Sequence, residues 1–134
     1  MLIIREEQIQ HFIAADEDQL IKVIAGAIRR LNEKRIAGYD DEKLAKMIKT
    51  GIARARSHEL IKAEDIAAFV ALMFEIAPKF DEQAEIKAVL DDASFPPDER
   101  FYQLFERVSH NGWFEAETLY EAAFWFPADS TKKG

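Results

Sequence analysis

The sequence predicts an all-α fold: a single compact bundle of five to seven helices around a central apolar helix, Ile66 to Ala77. Three observations carry this expectation. Valine and threonine are scarce, and no sustained apolar/polar alternation is bounded by turn residues, so strand signals are poor. Apolar residues recur instead at i, i+3, i+4 and i+7 along most of the chain. Finally, Ile66 to Ala77 contains Glu75 as its one polar residue, which is too short for a membrane span of about 20 residues and reads as a core helix.

The elements follow in order. Ile9, Phe12 and Ile13 start a stripe that resumes at Leu20, Val23, Ile24, Ala27, Ile28 and Leu31, predicting one long helix or a kinked pair over about 4 to 36. Asp16-Glu17-Asp18 interrupts it, either as a polar turn of one helix or as the capped start of a second. Gly38-Tyr39-Asp40 breaks the pattern, with Gly38 as C-cap and Asp40 as the next N-cap. A second helix carries Leu44, Met47, Ile48, Ile52 and Ala55, with Lys43, Lys46, Lys49, Arg54 and Arg56 on its other faces. Gly51 inside it costs about 1 kcal/mol against Ala, which points to close approach of another helix. The central helix, from about Ala63 to Ala77, places Glu64 and Asp65 in its first turn, where negative charge suits the helix dipole, and Pro78 ends it.

A short helix is expected between Asp81 and Asp92 around Ile86, Val89 and Leu90. Phe95-Pro96-Pro97-Asp98 then gives a rigid turn with a proline suited to the first helical position. Phe101, Leu104, Phe105 and Val108 line the next helix, and His110-Asn111-Gly112 is expected to terminate it, Asn-Gly being a strong turn signal. A last helix runs from Trp113 to Phe126, with Leu119, Tyr120, Ala123 and Phe124 on its stripe, until Pro127 stops it. Residues 1–127 therefore read as one helical domain and 128–134 as a frayed tail. A 134-residue chain buries roughly two-thirds of its extended surface, enough for one core.

Composition narrows function. The net charge of -7 and pI near 5.0 argue against nucleic-acid and anionic-membrane partners. Without cysteine there is no disulfide framework, thiol nucleophile or cysteine metal site. The opening Met1-Leu2-Ile3-Ile4 is too short for a signal peptide, so a cytoplasmic location is the expectation. Charge is uneven: between Arg29 and Lys62 ten basic residues face five acidic ones, against an acidic remainder. That segment is either a set of solvated helix faces or a basic patch.

No constellation for catalysis or cofactor binding stands out. His11, His58 and His110 lie on separate segments without a second ligand at helical spacing, which disfavours metal. Ser57-His58 and Ser109-His110 are neighbours that point about 100° apart on a helix, unlike a nucleophile and its base. Asp91-Asp92 and Asp98-Glu99 offer paired carboxylates, with nothing to mark either pair as special. Glycines are scattered singly, so no phosphate loop is present. The aromatics are more informative: Trp113, Phe114, Tyr120, Phe124, Trp125 and Phe126 crowd into one stretch. Such rings either sink into a core or homodimer contact or anchor a different partner, leaving Trp113, Phe114, Tyr120, Trp125 and Phe126 as candidate partner-binding residues.

The series Ile4-Arg5-x-Glu7-Gln8-Ile9, Gly51-Ile52-x-Arg54-Ala55, Asp65-Ile66-Ala67-x-Phe69-x-x-Leu72-Met73-Phe74 and Phe80-Asp81 resembles a family of small all-helical proteobacterial proteins encoded near type VI secretion spike-tip and effector genes. The resemblance spans about residues 3 to 108 and is most specific from Asp65 to Phe74. It implies structural roles for Gly51, Arg54, Asp65, Phe69, Met73 and Phe74. Together with the aromatic helix it leads to the expectation of a non-enzymatic, cofactor-free adaptor or chaperone that engages an effector or spike component. The alternatives are an immunity protein that blocks a cognate toxin and, third, a small carboxylate-dependent hydrolase.

Overall fold

A computed structural model describes residues 17–31, 33, 36 and 38–119, leaving aside the side chain of Asp98. It is all-helical, with six α-helices and one 3-10 turn among the described residues. None of these helices is long and apolar enough to cross a membrane. Packing divides the chain after Glu75 into two compact units.

The first unit contains α1 (Glu17–Leu31), α2 (Asp41–Ser57) and α3 (Ala63–Glu75). In α1 the residues Leu20, Ile24, Ala27 and Ile28 are buried at helical spacing. Whether Asp16-Glu17-Asp18 interrupts a longer helix lies outside the described residues, as does His11. The helix ends at Leu31, well before the C-cap expected at Gly38, and Gly38 does not take the left-handed conformation of such a cap. The chain instead turns to bury Ile36, which is 1% exposed, and Tyr39 N–H donates to the Ile36 carbonyl at 3.0 Å. Asp40 caps α2, its carboxylate accepting from Lys43 N–H at 2.8 Å.

One face of α2 is the predicted stripe: Leu44, Met47, Ile48, Ile52 and Ala55 are all buried. Gly51 lies on that face against α3. A β-carbon there would meet the two methyls of Val70 at 3.0 and 3.1 Å and Met73 Sδ at 3.3 Å. The missing side chain thus sets the distance between the two helices. At its C-terminus α2 closes in a Schellman arrangement, Leu60 N–H donating to Ala55 O at 3.4 Å and Glu59 N–H to Arg56 O at 2.9 Å. Glu59 occupies the left-handed position of this motif at φ 68°, where glycine is the usual residue. Leu60, buried, follows it into the core.

α3 is packed by both α1 and α2, and eleven of its thirteen residues are buried. Phe69 and Met73 are fully enclosed, Phe74 nearly so, and Asp65 in the first turn is only 1% exposed. Arg54 of α2 is half-buried. The helix stops at Glu75, short of the expected Ala77, because the residue before Pro78 is sterically kept out of the helical region.

Among the described residues the second unit has shorter pieces: the 3-10 turn Phe80–Glu82, α4 (Ala84–Leu90), α5 (Pro97–Arg107) and α6 (His110–Glu117). Gln83 caps α4, its amide oxygen accepting from the N–H groups of Glu85 at 2.9 Å and Ile86 at 3.1 Å. Pro97 takes the first position of α5, where its missing N–H costs nothing. The Asn111-Gly112 pair does not make the expected turn but sits inside the first turn of α6. The break falls at Val108 and Ser109, because Ser109 Oγ accepts from Gly112 N–H at 3.0 Å and caps the new helix. Ser109 is itself held by Glu85, which accepts from its backbone N–H and from its hydroxyl, both at 2.9 Å. Gly112 is needed here, since a β-carbon would lie 2.9 Å from Val108 Cγ1 and 3.0 Å from the Glu85 carboxyl carbon. α6 ends at Glu117; Tyr120, Phe124, Trp125, Phe126 and the rest of the expected last helix lie outside the described residues.

Candidate partner-binding surface

The aromatic residues of the second unit form a connected series from its core to its surface. Phe80 and Phe101 are fully buried. The indole of Trp113, half-buried at the start of α6, stacks on Phe80 with ring centres 6.5 Å apart and on Phe105 at 5.9 Å, at interplanar angles of 20° and 13°. Phe101 meets Phe105 edge-on at 5.6 Å and Tyr102 at 5.9 Å. All four separations fall in the range where offset or edge-to-face packing is favourable. Tyr102 and Phe105 then reach solvent, 45% and 42% exposed. Phe114, beside Trp113 in sequence, is 65% exposed.

Of the residues proposed from sequence, Trp113 and Phe114 are therefore placed in two roles: the first anchors the ring series, the second points outward. Tyr120, Trp125 and Phe126 lie outside the described residues. Two surface rings were missed. Helical spacing predicts Phe105 on the apolar stripe of its helix, but Phe101, Leu104 and Val108 fill that stripe and Phe105 emerges at its edge. At 100° per residue, Phe105 and Tyr102 fall on the same flank of the wheel, and that adjacency was the available signal.

Three carboxylates of this unit, Asp91, Asp92 and Glu85, are individually tied. Asp91 accepts from Lys87 Nζ at 3.0 Å, one turn away, and this hydrogen bond and its charge raise the lysine pKa. Asp92 accepts from Ser94 Oγ at 2.6 Å, from Ser94 N–H at 2.9 Å and from Arg107 Nη1 at 3.0 Å. Ser94, through its hydroxyl and then its amide, and Arg107 after it hold the Asp92 pKa down to about 2. A carboxylate so stabilised is a poor proton carrier near neutrality. The Glu85 pKa is likewise lowered, by Ser109 N–H and then by its hydroxyl. The serine hydroxyls serve helix ends: Ser57 Oγ donates to Arg54 O at 2.6 Å, and Ser109 Oγ is shared between Glu85 and Gly112. His58 packs on Phe69, ring centres 5.4 Å apart, and His110 is exposed. Among the described residues no three His, Asp or Glu side chains are grouped to hold a metal ion.

In the first unit the basic segment is partly paired. Arg29 donates to Asp41 at 2.8 Å and to the Tyr39 carbonyl at 3.2 Å, Arg56 donates to Glu17 at 2.7 Å, and Lys43 Nζ lies 5.7 Å from the centre of the Tyr39 ring. Lys46 and Lys49 remain exposed on the outer face of α2. An open groove of about 570 Å³ runs along α1 and α2 over Ile21, Ala25, Gly26 and Ala45, with Arg29 and Asp41 at its edge. Its charges are mixed and already paired at that edge, whereas the aromatic surface of the second unit has exposed Tyr102 and Phe105 in ring contact with buried Phe101. The chain matches no known protein-family model, no curated protein and no solved structure.

Proposed function

We propose that this chain is a non-enzymatic protein-binding module that works in the cytoplasm and holds its partner against the Tyr102, Phe105 and Trp113 surface. The supporting observation is that Phe105 is 42% exposed while stacked on Trp113 and edge-on to buried Phe101. A ring held in this way offers a large apolar area with little rotameric freedom left to lose on binding. Aromatic residues of this kind dominate interface energetics. The engagement of Asp91, Asp92 and Glu85 with fixed partners supports the non-enzymatic reading. The resemblance noted above gives the proposal its specific form, an adaptor or chaperone for a type VI secretion effector or spike component.

The test is co-purification of the tagged chain from its native cell, in parallel with a Phe105→Ala/Phe114→Ala variant whose helicity is checked by circular dichroism. A secretion-related protein recovered with the wild type and lost with the variant is the expected result. Equal recovery with both chains sinks the proposed surface, and recovery of no secretion-related protein sinks the adaptor role. A second reading, an immunity protein, is favoured by the charge of the second unit, whose 12 acidic and 6 basic residues suit a basic toxin. Deletion of the gene separates the two: self-intoxication by sister cells marks immunity, and lost secretion marks an adaptor.

A further inference from the structure

The solvent face of α5 carries charge as well as rings. Glu99, Tyr102 and Glu106 are exposed at i, i+3 and i+7, so two carboxylates bracket Tyr102 along one face, with Phe105 on its flank. These two acids differ from four others of the unit. Glu85, Asp91, Asp92 and Glu115 each accept a hydrogen bond from a named neighbour: Ser109, Lys87, Ser94 and Gln83. Among the described residues neither Glu99 nor Glu106 is held in an ion pair, and neither serves a helix of its own unit as a side-chain cap. They add negative potential beside the exposed rings, within a unit that is already acidic.

An apolar partner surface bearing carboxylates would be repelled here, whereas one bearing ammonium or guanidinium groups would satisfy both features. Such cations can pair with Glu99 and Glu106 at the rim and lie over the ring faces of Tyr102 and Phe105. Resting on the binding-module reading above, we infer that the partner docks through a cationic amphipathic helix, its apolar face on Phe105 and Trp113 and its Lys or Arg residues against Glu99 and Glu106. The spacing fits a helical ligand, because the acids stand two turns apart along α5 and basic residues at i and i+7 of a partner helix repeat over the same rise.

The experiment titrates the full chain with three synthetic 18-residue helical peptides that share a leucine face and carry Lys, Gln or Glu on the other. Binding is read by calorimetry at low and moderate salt. The expected result is that the Lys peptide binds at least about tenfold more tightly than the Glu peptide and weakens as salt rises. Glu99→Lys/Glu106→Lys should erase that preference. The charge-matched control Glu33→Lys/Glu42→Lys, which alters exposed acids of the first unit, should retain it. If both double variants lose binding equally, only general charge attraction is at work and the inference falls. If all three peptides bind alike and Phe105→Ala weakens all of them, the cationic partner is overturned while the binding module stands. No binding by any peptide overturns the helical ligand, and native co-purification then judges the module separately. Sedimentation that shows a dimer disrupted by Glu99→Lys/Glu106→Lys overturns it in favour of a second copy.

Discussion

The two units keep their helices in different ways. Among the described residues, those of the first are 15, 17 and 13 residues long, and those of the second 7, 11 and 8. Every helix leaves four N–H and four C=O groups without an internal partner, whatever its length. In a seven-residue helix those ends are most of the element. The second unit accordingly spends polar side chains on them: Gln83 on α4, Ser109 on α6, and Glu85 on Ser109. The first unit relies on wide apolar faces and a glycine contact, with Asp40 as a side-chain cap. Charge differs as well, with 12 basic and 13 acidic residues up to Glu75 against 6 and 12 beyond it. Both units bury apolar faces, and the two shortest helices, α4 and α6, add side-chain caps at their starts.

The strongest way to break this comparison is at the centre of α3. Phe69→Ala, at a position fully enclosed, should cost about 3–5 kcal/mol in chemical denaturation. A loss under about 1 kcal/mol would mean that the first unit does not depend on burial. Gly51→Leu comes next. With Val70 methyls only 3.0 and 3.1 Å from the new β-carbon and stiff at χ1, the substitution should cost about 1–3 kcal/mol. Combining it with Val70→Ala should return part of that loss, and strict additivity of the two would show that the helices do not meet there.

For the second unit the corresponding change is Ser109→Ala, which removes the cap of α6 and should cost about 1 kcal/mol. Acid sharpens the same point. Because the folded-state pKa of Asp92 lies near 2, below the ordinary 3.8, its contribution is complete above the ordinary value and is lost as pH falls through the folded one. Urea melts should therefore weaken between those two values, less so in Asp92→Asn, and an identical acid response in that variant would contradict the assignment. The last effect has the opposite sign. Glu59→Gly should stabilise the first unit by about 1 kcal/mol, by removing the β-carbon from a left-handed position.

Much of this was legible in the sequence, and the exceptions share a cause. The stripe Leu44, Met47, Ile48, Ile52 and Ala55, the Asp40 cap and Pro97 at the start of α5 are local patterns that need only their own neighbours. The same local logic predicts a C-cap at Gly38 and a turn at Asn111-Gly112, and the structure has neither. The chain buries Ile36 in preference to extending α1 to Gly38, and Glu85, 24 residues from Ser109, fixes where α6 begins. Long-range contacts of that kind leave no local mark. Of the candidate surface, Trp113 and Phe114 were legible as rings, whereas Phe105 was not legible as exposed because it shares helical spacing with three buried neighbours.

The position of Asn111-Gly112 has a consequence for chemical ageing. Asparagine followed by glycine is the sequence most prone to deamidation, in which the glycine nitrogen attacks the asparagine side-chain carbonyl to close a five-membered succinimide and release ammonia. Here that nitrogen is turned into the first turn of α6, its hydrogen donated to Ser109 Oγ at 3.0 Å, and the helical backbone holds it away from the attacking geometry. The reaction must wait for the turn to open. The slow gain of one mass unit at Asn111 on storage is therefore a clock for the opening of this helix, and Ser109→Ala should make it run faster.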